Sequence, residues 1–336
     1  MKELVKKEKY NVAIVGATGV VGRTFIKVLE EYNFPVGEVK LLASERSKGK
    51  IIHCFNRDIE VRVLKEEEFK GMDISLFSAG GDVSKEFAPI ASKYSLVIDN
   101  SSAFRMDPNC PLVVPEVNPK DIRPSGIIAN PNCTTIQSII PVKALLDKFG
   151  VKRVNYTSYQ AVSGAGMKGI NDLINTRGGE APQHFPYNIS KTVIPHIDTF
   201  LDNGYTKEEM KMVNETRKIL HKDNLLVSAT CVRVPIENSH AVSIAVELEK
   251  EFTLDEVREC LASYPGIVLK DDVKNNIYPV TDFSNGNDLV YVGRIRRDLS
   301  TPNGLLLYCV ADNVRKGAAS NAVQIAQYLI KEILKW

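Results

Sequence analysis

Tyr10-Asn11-Val12-Ala13-Ile14-Val15-Gly16-Ala17-Thr18-Gly19-Val20-Val21-Gly22 decides how the rest of the chain is read. The apolar run at its front has the length and composition of a buried strand, and Phe25, Ile26, Val28 and Leu29 then recur at helix spacing. Strand, glycine turn and helix in that order form the context in which glycines cradle a dinucleotide. They let the backbone turn tightly and approach a pyrophosphate, whose charge meets the free N–H groups at the helix start. Gly16, Thr18, Gly19, Val20, Val21 and Gly22 are therefore the candidate cofactor contacts. Their spacing is G-x-x-G-x-x-G, a variant of the usual G-x-G-x-x-G, and a glycine turn without a ligand is the plainer alternative.

The next strand, Val39 to Ala43, should end near the adenosine ribose. A cofactor lacking the 2′-phosphate usually meets an acid there. Here the strand ends in Ala43-Ser44, followed by Glu45-Arg46-Ser47-Lys48. Arg46 and Lys48 supply positive charge and Ser44 and Ser47 supply hydroxyl donors, a set that suits a phosphate and selects NADP over NAD; Glu45 pulls the other way but does not sit at the strand end, and a solvated basic loop is the alternative. A hairpin near Ile51 to Val63, strands at Ile74 to Ser78 and Leu96 to Asp99, and a helix from Ser84 to Lys93 continue the alternation. This βαβ succession predicts a mainly parallel, doubly wound sheet. Small residues at the strand ends, Ser78-Ala79-Gly80-Gly81 and Asn100-Ser101-Ser102, leave room for a ligand. Arg105 comes next, with a planar fork able to grip an oxyanion, although a surface arginine is the commoner explanation.

Downstream, the apolar strand Gly126 to Ala129 runs into Asn130-Pro131-Asn132-Cys133-Thr134-Thr135, and Ile136, Ile139, Ile140, Leu145 and Leu146 continue at helix spacing. Asn132 is a good N-cap residue, so Cys133 falls in the first helical turn, where free N–H groups and the helix dipole favour an anion. Such a seat lowers a thiol's pKa from its reference of about 8.5 toward the reactive thiolate. A buried structural cysteine is the alternative account of the same residue.

From Val151 the pattern turns β-rich. Val151 to Val162 leads into Gln160-Ala161-Val162-Ser163-Gly164-Ala165-Gly166, where an uncharged hydrogen-bonding side chain precedes a turn that permits close backbone approach. A polar stretch from Asn175 to Phe185 reads as an exposed loop or lid. Glu208 and Lys211 share one face of a helix running to Leu220, ordinarily a solvated pair worth little. Arg233 near the end of one strand and His240 at the start of the next are placed to face one pocket, although a single histidine at a strand edge is more often structural. Strands Leu289 to Ile295 and Leu305 to Val310 extend a mixed sheet. Asp312-Asn313 then precedes a final helix, Gly317 to Lys335, with a small-residue face.

Composition narrows the function classes. With 25% charged and 44% hydrophobic residues the chain is an ordinary globular one, and its net charge of +2 gives no reason to expect nucleic acid or an acidic membrane as partner. No apolar run approaches the ~18 residues that span a bilayer. Met1-Lys2-Glu3-Leu4-Val5-Lys6-Lys7 lacks the apolar core of a signal peptide. Six scattered cysteines without CxxC pairs or histidine spacing argue against a zinc site and a disulfide framework, so a reduced, cytoplasmic protein is expected.

Taken together and in order, these segments resemble aspartate-β-semialdehyde dehydrogenase over nearly the full length. The segments that carry the resemblance are the glycine turn, Asp99 to Arg105, Asn130 to Thr135, Gln160 to Gly166, Glu208 to Lys211, Cys231-Val232-Arg233-Val234-Pro235 with His240, and Ala311-Asp312-Asn313. The resemblance implies that Cys133 is the nucleophile, His240 the general acid/base, and Gln160 an orienting group. It implies that Arg233 and Glu208 hold the substrate's carboxylate and amino group, that Arg105 and Lys211 hold phosphate, and that Ser163, Gly164 and Asn313 line the nicotinamide side. One departure stands out: many relatives carry a glycine just before the histidine, where this chain has Ser239. The implied reaction is NADPH-dependent reduction of L-aspartyl-4-phosphate to the semialdehyde through a cysteine thioester, on the route to lysine, threonine and methionine. The alternatives are an N-acetyl-γ-glutamyl-phosphate reductase, which has no use for an amino-group partner such as Glu208, and a non-catalytic paralogue. The expected architecture is α/β: a Rossmann-type NADP-binding domain over 1–131, a mixed-sheet α+β catalytic and dimerisation domain over 132–313, and a C-terminal helix, 314–336, returning to the first domain. The fold family further implies a homodimer formed through the second domain's sheet.

Overall fold

The computed structural model describes residues 2–335. They divide into two compact units, one taking in the chain up to Pro131 and again from Ala318 onward, the other Asn132–Gly317.

The first unit contains β1 (Tyr10–Val15), α1 (Val20–Glu31), β2 (Val36–Ala43), β3 (Ile51–Cys54), β4 (Arg57–Val63), β5 (Ile74–Phe77), α2 (Gly81–Ala91), β6 (Leu96–Asp99) and β7 (Ile127–Ala129). The sheet order is β3-β4-β2-β1-β5-β6-β7, parallel throughout except for the β3–β4 hairpin. Both faces of β1 are buried. Tyr10, Val12 and Ile14 join a core with α1 and the C-terminal helix, and Ala13 and Val15 join another with Phe69, Phe77 and α2. A strand covered on both sides needs the near-continuous apolar run that Tyr10–Val15 provides. The C-terminal helix (Ser320–Tyr328), entered and left through π-helical turns, lays Ala319, Ala322, Val323 and Ala326 into the first of these cores. Strand order reverses at β1, with β2 on one side and β5 on the other, which opens a crevice at the carboxyl ends of β1 and β5.

The second unit contains α3 (Cys133–Phe149), β8 (Val151–Gln160), α4 (Gly166–Arg177), α5 (Lys207–Leu220), β9 (Leu226–Arg233), β10 (His240–Leu248), α6 (Leu254–Ala262), β11 (Ile267–Leu269), α7 (Thr281–Ser284), β12 (Val290–Arg297) and β13 (Gly304–Ala311). Its mixed sheet has the order β11-β12-β13-β10-β8-β9. One face is dry, built from Val154, Tyr156, Val242, Ile244, Val246, Leu305 and Leu307. The opposite face carries Asn155, Thr157, Ser243, Ala245, Leu306 and Tyr308, all half-buried. Register decides what the sheet can do: Gln160 at the end of β8 pairs with Arg233 at the end of β9, and His240 at the start of β10 pairs with Ala311 at the end of β13. All four therefore sit at one end of the sheet.

The stretch expected as a loop from Asn175 is helical up to Arg177, where α4 ends. The segment beyond that helix is stapled: the buried Asp172 carboxylate accepts the N–H groups of Gln183 (2.6 Å) and Phe185 (3.0 Å). Burial alone would raise the Asp172 pKa, but the N–H donors of Phe185, Gln183 and His184 hold it below its usual range. Among the described residues no helix is long and apolar enough to cross a membrane, and no group of three His, Cys, Asp or Glu side chains could hold a metal ion.

Candidate active site and cofactor cradle

In the first unit, the glycine turn leaves no room for a side chain at Gly16 or Gly22. Gly16 has φ +85°, and a Cβ there would lie 2.9 Å from the Ser78 carbonyl; on Gly22 it would lie 2.1 Å from the Gly16 oxygen. The α1 N-terminus has no side-chain cap and no acid in its first turn, so its amides and dipole stay available to an anion. Thr18 Oγ1 lies 3.3 Å from Ser47 Oγ, which ties the glycine turn to the short 3₁₀ turn Glu45–Ser47. Ser44 and Arg46 are exposed beside it. Arg105 is nearly buried and donates from Nε to the Asn130 carbonyl and from Nη2 to that of Asn100, both at 2.9 Å.

In the second unit, Cys133 is the first residue of α3, half-exposed, and capped as its neighbours predict. The Asn132 Oδ1 accepts from the N–H groups of Thr134 (3.0 Å) and Thr135 (3.3 Å), a cap worth about 1 kcal/mol. Gly317 packs directly on the cysteine, since a Cβ there would stand 2.8 Å from Cys133 Cβ.

A buried carboxylate organises one side. Glu208 Oε1 accepts from Asn132 Nδ2 (2.9 Å) and Gln160 Nε2 (3.2 Å), and Oε2 accepts from Lys211 Nζ (3.0 Å). Burial would push the Glu208 carboxyl up, but the Lys211 charge and these three donors hold it below its ordinary value. Lys211 also binds Asp198 at 2.8 Å; burial would lower its ammonium, and Glu208 and Asp198 keep it raised instead.

The Ala161 peptide organises the other side. Its N–H donates to His240 Nδ1 (3.0 Å) and its carbonyl accepts from Arg233 Nη1 (2.6 Å). An Nδ1 that accepts leaves the neutral ring's proton on Nε2. Burial, then the neighbouring Arg233 charge, pushes the fully buried His240 well below its ordinary pKa, so the ring is neutral. Burial also lowers the Arg233 guanidinium, against Glu208, Cys133 and Cys231, which favour its charge. His240 Nε2 and Arg233 Nε are buried, and neither meets a hydrogen-bond partner among the described residues. Polar atoms left in that state cost on the order of 1–3 kcal/mol each, so their burial calls for an explanation. Gly164 makes the convergence possible: a Cβ there would stand 2.9 Å from Arg233 Nη1 and 3.4 Å from His240 Nε2. The Phe185 ring lies 5.9 Å from the Arg233 guanidinium carbon.

Ser163 and Asn313 are bonded to each other (2.9 Å), and Asn313 Oδ1 accepts the Ser239 N–H (2.9 Å). Sequence reasoning missed Gly317, the Ala161 peptide and Glu215, whose carboxylate accepts the Asn132 N–H at 2.7 Å. Glu215 had a visible signal. With Glu208 it occupies the i and i+7 positions of a stripe whose other members, Met212 and Ile219, are core residues.

Comparison with known proteins agrees. The family models described as the semialdehyde dehydrogenase NAD binding domain and the semialdehyde dehydrogenase dimerisation domain match residues 11–125 and 142–316. An aspartate-semialdehyde dehydrogenase of Aquifex aeolicus is 56% identical over 335 residues, covering 96% of this chain and 98% of that one. The crystal structure of aspartate semialdehyde dehydrogenase II of Vibrio cholerae complexed with ASA superposes with a TM-score of 0.93 at 46% identity, covering 97% and 99% of the two chains. That of the Candida albicans enzyme with NADP gives 0.74 at 25% identity, covering 96% and 98%. The fold, the nicotinamide-dinucleotide domain and these likenesses have one reading: the chain belongs to the aspartate-semialdehyde dehydrogenase family.

Proposed function

We propose that the protein catalyses the NADP-dependent, phosphorylating interconversion of L-aspartate-4-semialdehyde and L-aspartyl-4-phosphate through a thioester on Cys133, run reductively in a reducing cytoplasm for lysine, threonine and methionine synthesis. The observation that carries this reading is the pair of buried, unpaired donors, His240 Nε2 and Arg233 Nε, in a site headed by the α3 N-terminus with Cys133 as its first residue. Gly16, Thr18, Gly19, Val20, Val21 and Gly22 are assigned to the dinucleotide phosphates, Ser44, Arg46 and Ser47 to the 2′-phosphate, and Ser163, Gly164 and Asn313 to the nicotinamide end. NADP, when bound, supplies or takes the hydride. The side-chain-free cradle at Gly16 and Gly22 and the uncapped α1 fit such a ligand.

In the reductive direction the Cys133 thiolate attacks the acyl phosphate carbon, the C–O bond to phosphate breaks, and a thioester forms. After hydride reaches the carbonyl, the tetrahedral oxyanion collapses, the C–S bond breaks, and the thiolate and aldehyde are released. Written with a thiolate, neither step puts a net proton on the oxygen. His240 therefore serves first through Nε2–H, a neutral donor that holds the oxyanion. Acting as a base at Nε2 requires the ring proton to move to Nδ1 and the Ala161 bond to open. Arg233 is assigned to the substrate carboxylate and Glu208 to its amino group, Gln160 to orienting the reacting carbon, and Arg105 and Lys211 to phosphate. Two copies pair through the open face of the second sheet.

The deciding experiment is Cys133→Ala, assayed for phosphate-dependent NADP reduction with the semialdehyde and for NADP binding by fluorescence. Turnover should vanish with binding kept, and activity at wild-type level would end the covalent mechanism. The acetylated glutamate analogue, run alongside, should give no turnover with the wild-type enzyme.

A further inference from the structure

We propose that Glu215 is a positioning residue for the nucleophile, fixing from α5 the residue, Asn132, that precedes Cys133. In a capping box, the third residue of the helix returns its side chain to the N-cap N–H. In α3 that third residue is Thr135, which has no carboxylate to return. Glu215 takes its place from a different helix, accepting the Asn132 N–H at 2.7 Å with a side chain that is only 1% exposed. Seven residues earlier on the same face, Glu208 holds the Asn132 side chain. Asn132 is thereby gripped at its amide nitrogen, its Nδ2 and its Oδ1, which fixes the residue leading into Cys133 in space and not merely its helical conformation.

The other end of the clamp is anchored to the sheet. Thr206 and Glu209 close a capping box at the start of α5, and Glu209 Oε1 accepts the Cys231 N–H of the edge strand β9 at 3.1 Å. Through α5, then, the start of α3 is registered against the strand that ends in Arg233. A leucine or methionine would fill a core position at lower desolvation cost than a carboxylate. The buried acid is explained by what it holds.

This inference rests on Cys133 being the nucleophile. Its test compares Glu215→Met, which removes the acceptor, Glu215→Asp, which withdraws it by one methylene, and Glu215→Gln, which retains it. Four quantities are read: kcat and KM for the semialdehyde, the pH profile of iodoacetamide alkylation at Cys133 located by peptide mass, and the melting temperature. Displacing a reacting atom by about 1 Å costs on the order of 100-fold. Glu215→Met and Glu215→Asp should therefore lose about 10- to 100-fold in kcat and in alkylation rate with KM near wild type, while Glu215→Gln stays close to wild type. If Glu215→Met does not fold, the Asp–Gln pair carries the comparison. Lower melting temperatures with unchanged kcat and alkylation would reduce Glu215 to a structural acid and overturn the proposal. So would a Glu215→Gln as slow as Glu215→Asp. If alkylation mapped to Cys133 leaves activity intact, the thiol mechanism itself fails, a result separate from either.

Discussion

Ser239 sits at φ +70°, in the left-handed region that an L-residue enters at a cost of about 1–2 kcal/mol. The chain keeps a serine there because the hydroxyl is used. Ser239 Oγ donates to Asn285 Oδ1 (2.5 Å) and accepts from Ser284 Oγ (2.9 Å), with both serines fully buried. Two such bonds are worth about 1 kcal/mol each. Ser239→Ala retains the strained Cβ and loses both bonds, so its net cost is about 2 kcal/mol. Ser239→Gly loses the same bonds and escapes the strain, but it returns about 0.4–1 kcal/mol to the entropy of the unfolded chain. Glycine should therefore lie between alanine and wild type, about 1–1.5 kcal/mol below the native protein, a loss of a few degrees in melting temperature. Because Ser239 precedes His240 and its amide binds Asn313, both variants should also lower kcat. Calorimetry and steady-state kinetics on the two variants read the order directly. A Ser239→Gly protein more stable than wild type would show that strain outweighs the hydroxyl's bonds, and the account of this loop would be wrong.

Three further outcomes are expected from the same geometry. Gly317→Ala places a Cβ about 2.8 Å from Cys133 Cβ, close against the cysteine's backbone as well, and should cut kcat at least tenfold while the protein stays folded. Wild-type kcat in that variant would show that the cysteine has slack. Arg46→Asp should raise KM for NADP far more than for NAD, and an equal rise for both would remove the 2′-phosphate assignment. His240 is held neutral, so below a pH of about 6.5 the unfolded chain binds a proton that the native ring refuses, and stability falls as pH falls. The loss attributable to this ring is at most about 2 kcal/mol at pH 5 and should be missing from the slope of His240→Asn, measured as urea midpoints between pH 7.5 and 5. The depressed carboxyls of Glu208, Asp198 and Asp172 lose their contribution only below about pH 4.3, outside that window.

Local chemistry explains which parts of this protein were readable in its sequence. The β1–Gly16–α1 unit was readable because a strand buried on both faces, a turn that excludes side chains at Gly16 and Gly22 and an amphipathic helix each impose their own residue types within a span of some twenty positions. The Asn132 cap was readable for the same reason: donor and acceptor are two and three residues apart. Helix α4 was not. Gly166, Gly169, Asn171 and Asn175 are poor helix formers, and the helix is held by what Asp172 does for a loop more than ten residues away. The clamp on Asn132 lies further still from local reach, 76 and 83 residues along the chain. What local pattern does reveal is the anomaly that such a clamp leaves behind. A helix that buries Met212 and Ile219 has no hydrophobic reason to bury Glu208 and Glu215 on the same stripe. An acid in that position costs several kcal/mol unless donors await it. That stripe, read here as a solvated Glu208–Lys211 pair, was the place where donors could have been suspected, and only the fold, by bringing the head of α3 to it, could say that they belong to the residue next to the nucleophile.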